Sequence, residues 1–230
     1  MNIAVIPARG GSKRIPRKNV KPFCGKPMIV WSIEAALASA CFDRVLVSTD
    51  DAEISSVARA AGAEVPFTRP AILSDDHAGT VPVVAHAIEW LKAAGLVPDY
   101  VCCLYATAPL LDIADLRSGL SALVASDADF AISATSYAYP IQRAFRVDAR
   151  GRMEMFQPEH FNARSQDLEP AYHDAAQFYW GRTAAWRTAS PMFSSRSIPV
   201  LIPRERVQDI DTDEDWSSAE RMARTLQERG

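Results

Sequence analysis

The first 33 residues contain no aspartate and no glutamate. That stretch nevertheless holds Arg9, Lys13, Arg14, Arg17, Lys18, Lys21 and Lys26, so its positive field has no local counter-charge. Other absences are equally selective. None of the four cysteines, Cys24, Cys41, Cys102 and Cys103, stands in a C-x-x-C pair, which argues against a redox or zinc motif. They read as buried, reduced thiols, and Cys102 and Cys103 should point to opposite faces of a strand. No apolar stretch approaches 18 residues, and residues 1 to 20 are too polar and basic for a secretory signal. The expected location is therefore cytoplasmic, with no membrane partner. The net charge of −3 argues against nucleic acid as a partner. No internal repeat or low-complexity tract interrupts the 230 residues, a length suited to one α/β domain of residues 1–230 carrying an insertion.

The pattern that is present alternates strand-like and helix-like segments. Ile3 to Ile6, Arg44 to Ser48, Ala63 to Pro66, Tyr100 to Tyr105 and Phe130 to Thr135 read as strands. Met28 to Ala40, Asp51 to Ala61, Val81 to Ala94 and Asp112 to Ala125 read as helices, the first burying Ile29, Ile33, Ala36 and Leu37 on one stripe. Such alternation implies parallel strand pairing with crossover helices. The rhythm fails over about residues 137–175, which carry aromatic residues among mixed charges and read as an extended or hairpin arm. Rings on such an arm need a burial place, and a second subunit would supply one. Gln177 to Trp180 and Ile198 to Ile202 read as returning strands. Thr212 to Arg229 reads as a closing helix with Trp216, Ala219, Ala223 and Leu226 turned inward.

The sharpest chemical signal follows the first strand: Pro7-Ala8-Arg9-Gly10-Gly11-Ser12-Lys13-Arg14-Ile15-Pro16-Arg17-Lys18-Asn19. Loops at the carboxyl ends of strands are where α/β sheets bind ligands. Gly10 and Gly11 lack Cβ, so their amides can approach a phosphate, and Ser12 adds a hydroxyl. Arg9, Lys13 and Lys18 can neutralise phosphate charge. The run is neither G-x-x-x-x-G-K-[ST] nor G-x-G-x-x-G, which excludes the P-loop and dinucleotide fingerprints. No G-x-S-x-G elbow of a hydrolase is present either. A second signal is Asp209-Ile210-Asp211. In extended chain these two carboxylates share a face and could converge on Mg²⁺, a hard cation that prefers oxygen ligands. Asp213, Glu214 and Asp215 then suit the first turn of the last helix. Asp50 could reach the same cleft, Asp51 suits a helix N-cap, and His86 reads as structural. Arg69 and Thr80 could touch a nucleotide. His160, His173, Arg164, Gln166 and Asp167 form a polar group in the arm suited to a polyhydroxylated acid.

These motifs carry a resemblance. IPARGGSKRIPRKN followed by GKP, then VSTDD, RPAILSDD and DIDTDED, resemble the CMP-sugar-acid synthetases, which include the CMP-sialic acid and CMP-Kdo synthetases. Tyr105-Ala106-Thr107-Ala108-Pro109 and the run from Gln157 to Gly181 are most similar to the branch acting on pseudaminic acid. The resemblance implies a nucleotidyltransferase-type, Rossmann-like three-layer fold with a mostly parallel sheet, and a homodimer whose arm reaches the partner's site. It implies that Arg9, Gly10, Gly11, Ser12, Lys18, Asn19, Arg69 and Thr80 hold CTP, and that Asp209 and Asp211 hold Mg²⁺ or another divalent cation. It further implies that Tyr105, Arg164, Gln166 and Tyr179 meet a nine-carbon 2-keto sugar acid, with Arg9, Lys18 and Asp211 acting in the chemistry. Tyr105 stands where the sialic acid branch has Gln, which turns the expectation toward pseudaminic acid, with N-acetylneuraminic, legionaminic and Kdo acid as alternatives. A non-catalytic sugar-nucleotide binding module is a separate possibility that Mg²⁺-dependent turnover would exclude. An NAD-dependent oxidoreductase is a third, which failure to bind NAD would exclude.

Overall fold

The computed structural model describes residues 1–75 and 78–229. The last acid of the RPAILSDD run, Asp76, lies outside them. In chain order the elements are β1 (Asn2–Pro7), β2 (Pro22–Phe23), β3 (Lys26–Pro27), α1 (Met28–Ser39), β4 (Arg44–Ser48), α2 (Ala52–Ala60) and α3 (Thr80–Ala93). There follow β5 (Tyr100–Leu104), α4 (Ile113–Val124), β6 (Phe130–Ser136), β7 (Phe145–Val147), β8 (Met153–Met155) and β9 (Tyr172–Arg182). The chain closes with α5 (Thr183–Arg187), β10 (Ser197–Leu201) and α6 (Asp213–Arg229). Six strands form the central sheet in the order β10-β6-β9-β5-β1-β4. β1 pairs parallel with β4 and β5, and β10 pairs parallel with β6, as crossover connections require. β9 alone runs antiparallel, between β5 and β6.

The sheet is covered on both faces, which makes three layers. Ile29, Ile33 and Ala36 of α1, Ile54 and Ala58 of α2, and Leu116 and Leu123 of α4 pack on one face with Ala4, Ile6, Cys102 and Trp180. Val84, Ala87, Ile88 and Leu91 of α3 and Trp186 of α5 pack on the other with Ile3, Val5, Val101 and Cys103. Cys102 and Cys103 thus do face opposite layers, and all four cysteines are free thiols. Trp180 and Trp186 are fully buried, each contributing about 1.5–3 kcal/mol through burial. Gly181 allows this packing: a Cβ there would lie 2.7 Å from the Phe130 ring. A third cluster joins Ile15, Phe23 and Met28 to Ile210, Trp216, Ala219 and Ala223 of the closing helix, so the basic loop and the acidic tail share one small core.

Three sequence expectations need correction. Leu37 is 47% exposed and lies outside the α1 stripe, where Met28 and Ser32 are buried instead. The stripe that turns inward begins at Met28, the first residue of the helix, rather than at Ile29. Ala63 to Pro66 is not a full strand, because pairing is limited to a single parallel bridge between Leu46 and Glu64. The return strand is also longer than Gln177 to Trp180. It starts at Tyr172 and accommodates a register shift opposite Ile132 and Ala134, with Ala176 at φ 51°. A bulge of this kind bends the strand and re-aims its side chains. The segment between β6 and β9 contains the antiparallel β7–β8 hairpin with short single-turn helices.

Candidate active site

β1 ends at Pro7, and the chain then turns across the carboxyl ends of β1 and β5. A cavity of ≈ 490 Å³ opens there. Its wall includes Arg9, Lys13, Arg14 and Lys18 together with Tyr105 and Asp211. Ser12 and Asn19 also line it, and Asn19 Nδ2 donates to the carbonyl of Arg9 at 3.0 Å, bracing the loop from its far end. The loop is therefore shaped by its own residues, with its cations gathered round one space large enough for a triphosphate.

The loop is anchored from β4 and α2. Asp51 caps α2 by accepting from the Ile54 N–H at 2.9 Å, as its position before the helix predicts. The same carboxylate takes both guanidinium nitrogens of Arg17, at 2.6 and 2.9 Å, and Glu53 joins the pair. Arg17 lies at φ 55°, an uncommon backbone conformation that this clamp helps hold. The Arg17 guanidinium holds the Asp51 carboxyl down to about 2. Gly10 packs directly on this carboxylate: a Cβ at Gly10 would lie 2.7 Å from Asp51 Oδ2. One detail departs from the simplest phosphate-grip picture. The Gly10 N–H donates to Asp50 Oδ1 at 3.1 Å, so Gly10 gives closeness of approach while its amide is engaged.

Arg69 is 5% exposed. Its backbone N–H donates to the Thr49 carbonyl, its Nε donates to Ser74 Oγ at 3.2 Å, and its Nη2 approaches Asp50 Oδ1 at 3.6 Å. Burial pulls its pKa down against the pull of Asp50. Among the described residues Nη2 has no acceptor within hydrogen-bond distance, Asp50 lying just beyond it, so this buried donor can still turn to a ligand oxygen or ring nitrogen. His86 packs edge-on against Phe67 at 4.7 Å, and burial lowers its pKa, in keeping with a structural role.

The acidic side is set by alternation. Ile210 is buried in the third core cluster, which turns Asp209 and Asp211 the other way. Thr212 and Asp215 then form a reciprocal cap on α6: Asp215 Oδ2 accepts from the Thr212 N–H at 2.8 Å, and the Asp215 N–H donates to Thr212 Oγ1 at 3.2 Å. Asp215 Oδ2 also accepts from the Asp211 N–H at 3.1 Å. Asp211 meets Arg14 at 2.8 Å and Lys18 at 3.4 Å, and Lys18 Nζ also donates to the Ile210 carbonyl at 2.6 Å. The loop and the acidic tail thus meet, 192 residues apart in sequence. Arg14 is a contact the sequence pattern did not single out. Burial and the neighbouring Asp211 raise the Asp209 pKa. A carboxylate held beside a second one is a donor set suited to a divalent cation. Among the described residues no group of three or more acidic, histidine or cysteine side chains forms a closed metal cage. Two carboxylates are a donor set that Mg²⁺ commonly uses, completing its shell with water and substrate phosphate.

The remaining sequence candidates divide into two groups. Tyr105 lines the cavity, and its hydroxyl lies 3.2 Å from that of Tyr179, so these two are brought together. Thr80, the first residue of α3, and Tyr179 are not themselves among the residues lining the cavity. Arg164 and Gln166 lie on the arm instead; Arg164 pairs with Asp167 at 2.7 Å, and neither lines the cavity of its own chain.

The geometry can be set beside known proteins. Residues 3–215 match the family model described as cytidylyltransferase. The chain belongs to the cytidylyltransferase family. Over 218 residues it is 48% identical to a pseudaminic acid cytidylyltransferase of Campylobacter jejuni, covering 95% of this chain and 94% of the relative. A two-function protein of Helicobacter pylori, named as pseudaminic acid cytidylyltransferase and a sugar-nucleotide hydrolase, is 36% identical over 90% of this chain and 40% of its own length. A CMP-N,N'-diacetyllegionaminic acid synthase of Legionella pneumophila is 31% identical, over 98% of this chain and 97% of the relative. A CMP-2-keto-3-deoxy-manno-octonic acid synthetase solved with CTP shares the fold at TM-score 0.70 and 21% identity, covering 99% of both chains. The protein is thus an enzyme of nucleotidyl transfer with the nucleotidyltransferase-type fold that the sequence motifs implied.

Proposed function

We propose that the enzyme joins CTP to pseudaminic acid, giving CMP-pseudaminic acid and pyrophosphate. The observation that carries this reading is the meeting of Arg9, Lys13, Arg14 and Lys18 with Asp211 and Tyr105 around one cavity. The choice of acid rests on the similarity to the Campylobacter enzyme, which spans nearly the whole of both chains. The anomeric hydroxyl of the acid attacks the α-phosphorus of CTP in line with the departing pyrophosphate. Arg9, Lys13 and Lys18 neutralise the triphosphate and then the leaving group, and Gly11 and Ser12 bring the loop close. The buried Nη2 donor of Arg69 and the hydroxyl of Thr80 hold the nucleoside portion. Tyr105 and Tyr179 shape the sugar end of the cavity. Asp209 and Asp211 would hold Mg²⁺, which would supply charge withdrawal from the α-phosphate when bound. Arg14 and Lys18 pair with Asp211 and line the same cavity, so they can serve the phosphates as well as the carboxylate.

The arm belongs to a homodimer in this reading. Phe156 and Phe161 are 61% and 70% exposed, and Met153 is 70% exposed, an apolar display that a second subunit would cover. Arg164 and Gln166 then reach the partner's sugar acid. The chain acts as one domain with residues 137–171 as that arm, since β9 begins at Tyr172. No helix among the described residues is long and apolar enough to cross a membrane, and the substrates place the enzyme in the cytoplasm. The test is pyrophosphate release from CTP with a panel of pseudaminic, legionaminic, N-acetylneuraminic and Kdo acids. The expected result is a kcat/KM for pseudaminic acid at least about tenfold above the others, a difference of about 1.4 kcal/mol in transition-state binding. A preference for another acid would reassign the substrate.

A further inference from the structure

The residues from Ser48 to Asp51, at the end of β4, hold separate parts of the proposed nucleotide site. The Ser48 carbonyl accepts from the Ala8 N–H at 2.9 Å, where the basic loop begins. The Thr49 carbonyl accepts from the Arg69 N–H at 2.8 Å. Asp51 holds Arg17, farther along the loop. Asp50 holds two parts at once, and with a single atom: its Oδ1 accepts from the Gly10 N–H at 3.1 Å and lies 3.6 Å from Arg69 Nη2. The parallel bridge between Thr49 and Thr68 sets up this meeting, because the residues that follow two bridged partners point to one face.

Both neighbours need this oxygen. Among the described residues Arg69 is the only charged residue that is buried, and a buried guanidinium is costly unless a counter-charge faces it. Gly10 directly follows Arg9, which lines the cavity, so the hold on its N–H fixes the loop where the cations begin. Asp50 does not itself line that cavity, so any effect it has there passes through these two neighbours. We infer that Asp50 is a positioning residue for nucleotide binding: through one oxygen it fixes the Gly10 end of the phosphate loop and the Arg69 guanidinium relative to each other, so that both meet CTP in register. The inference rests on the proposed reading that Arg69 meets the nucleoside.

Charge alone and positioning predict opposite signs for Asp50→Asn. A carboxylate near a phosphate site repels CTP, so its removal by charge alone would tighten binding. Asparagine keeps an oxygen for the Gly10 N–H but removes the charge facing Arg69. The inference therefore predicts that CTP affinity, measured by calorimetry, falls about 3- to 10-fold in Asp50→Asn, the range of a lost charge-assisted contact. Asp50→Ala removes both contacts and should lose more, about 10- to 100-fold. The KM of the sugar acid, measured by pyrophosphate release, should stay within about twofold of the parent in Asp50→Asn. Arg69→Ala should weaken CTP binding on its own account. Adding Asp50→Asn to Arg69→Ala should then cost no further affinity, because the charge it removes has lost its partner. CTP affinity in Asp50→Asn that equals or exceeds the parent's would overturn the inference. So would an equal loss from Asp50→Asn with and without Arg69, the result of a merely structural role. A drop in melting temperature with parental CTP affinity would do the same. Parental CTP affinity in Arg69→Ala would remove the reading that Arg69 meets the nucleoside, and the inference with it. A loss in Arg69→Ala without one in Asp50→Asn removes the inference alone.

Discussion

Asp209 carries two opposed demands. Its carboxyl is raised by burial and by Asp211, so at neutral pH the folded chain holds a charge that the unfolded chain would carry more easily. For a group with a raised folded pKa, the stabilising contribution is complete below the unfolded value of about 3.9 and is lost as pH rises through the folded value. Asp209→Asn should therefore raise the melting temperature of the metal-free protein at pH 7, and the gain should shrink toward about pH 4, the unfolded carboxyl value. Mg²⁺ with CTP should raise the melting temperature of the parent and do so less for the variant. Equal thermal shifts in both proteins would show that Asp209 takes no part in cation binding. Asp211→Asn should lose most turnover, by at least about 100-fold, while CTP still binds. Retained turnover in initial-rate measurements would remove Asp211 from the chemistry. At this scale the sequence was informative where a residue's role follows from local pattern. The D-I-D spacing told which way the two acids turn, because Ile210 needs the core and the flanking acids cannot follow it. Asp51 was legible as an N-cap for the same local reason. Arg14 on Asp211 and Asp174 on Tyr179 were not legible, because both depend on where distant strands meet.

At the scale of elements, the glycine loop is held by what packs beneath it. Asp51 joins three parts: the start of α2, Arg17, and the close approach of Gly10. Asp51→Ala should cost about 0.5–2 kcal/mol of stability through the lost cap, and should weaken CTP binding by releasing the loop. Denaturant titration and calorimetry read the two effects. A stability loss with unchanged CTP affinity would confine Asp51 to capping. The same carboxyl makes an acid-side prediction. Its folded pKa is about 2 and below its unfolded value, so its contribution is present above about pH 5 and fades as pH falls through the folded value. The helices and most of the parallel strands were readable from periodicity and punctuation, since α/β crossovers leave clear apolar stripes. Ala63 to Pro66 misled because an apolar run beside an edge strand can be buried without pairing along its length; here Leu46 alone bridges Glu64. β9 was under-read for a related reason. Its first residues, Tyr172 to Asp174, pair with β6 through a bulge, and a bulge interrupts the alternation on which strand recognition depends.

For the whole molecule, the decisive contact is between chain ends. Arg14 and Lys18 near the start meet Asp211 near the end, and Ile15 and Ile210 share a core with Trp216. The sequence showed a positive field without local counter-charge in the first 33 residues, but could not show which acid answers it. In the proposed homodimer the arm would extend the same logic to a second copy. Sedimentation should report a dimer, and Phe161→Ser should shift it toward monomer with a parallel loss of kcat. A fully active monomer would place the sugar contacts entirely within one chain. The most direct test of the account is product analysis by phosphorus NMR after incubating the enzyme with CTP, pseudaminic acid and Mg²⁺. The account predicts a single CMP-linked phosphodiester signal and free pyrophosphate, both abolished by chelator and by Asp211→Asn. Unchanged CTP alongside unmodified pseudaminic acid, from folded enzyme that binds CTP, would contradict it.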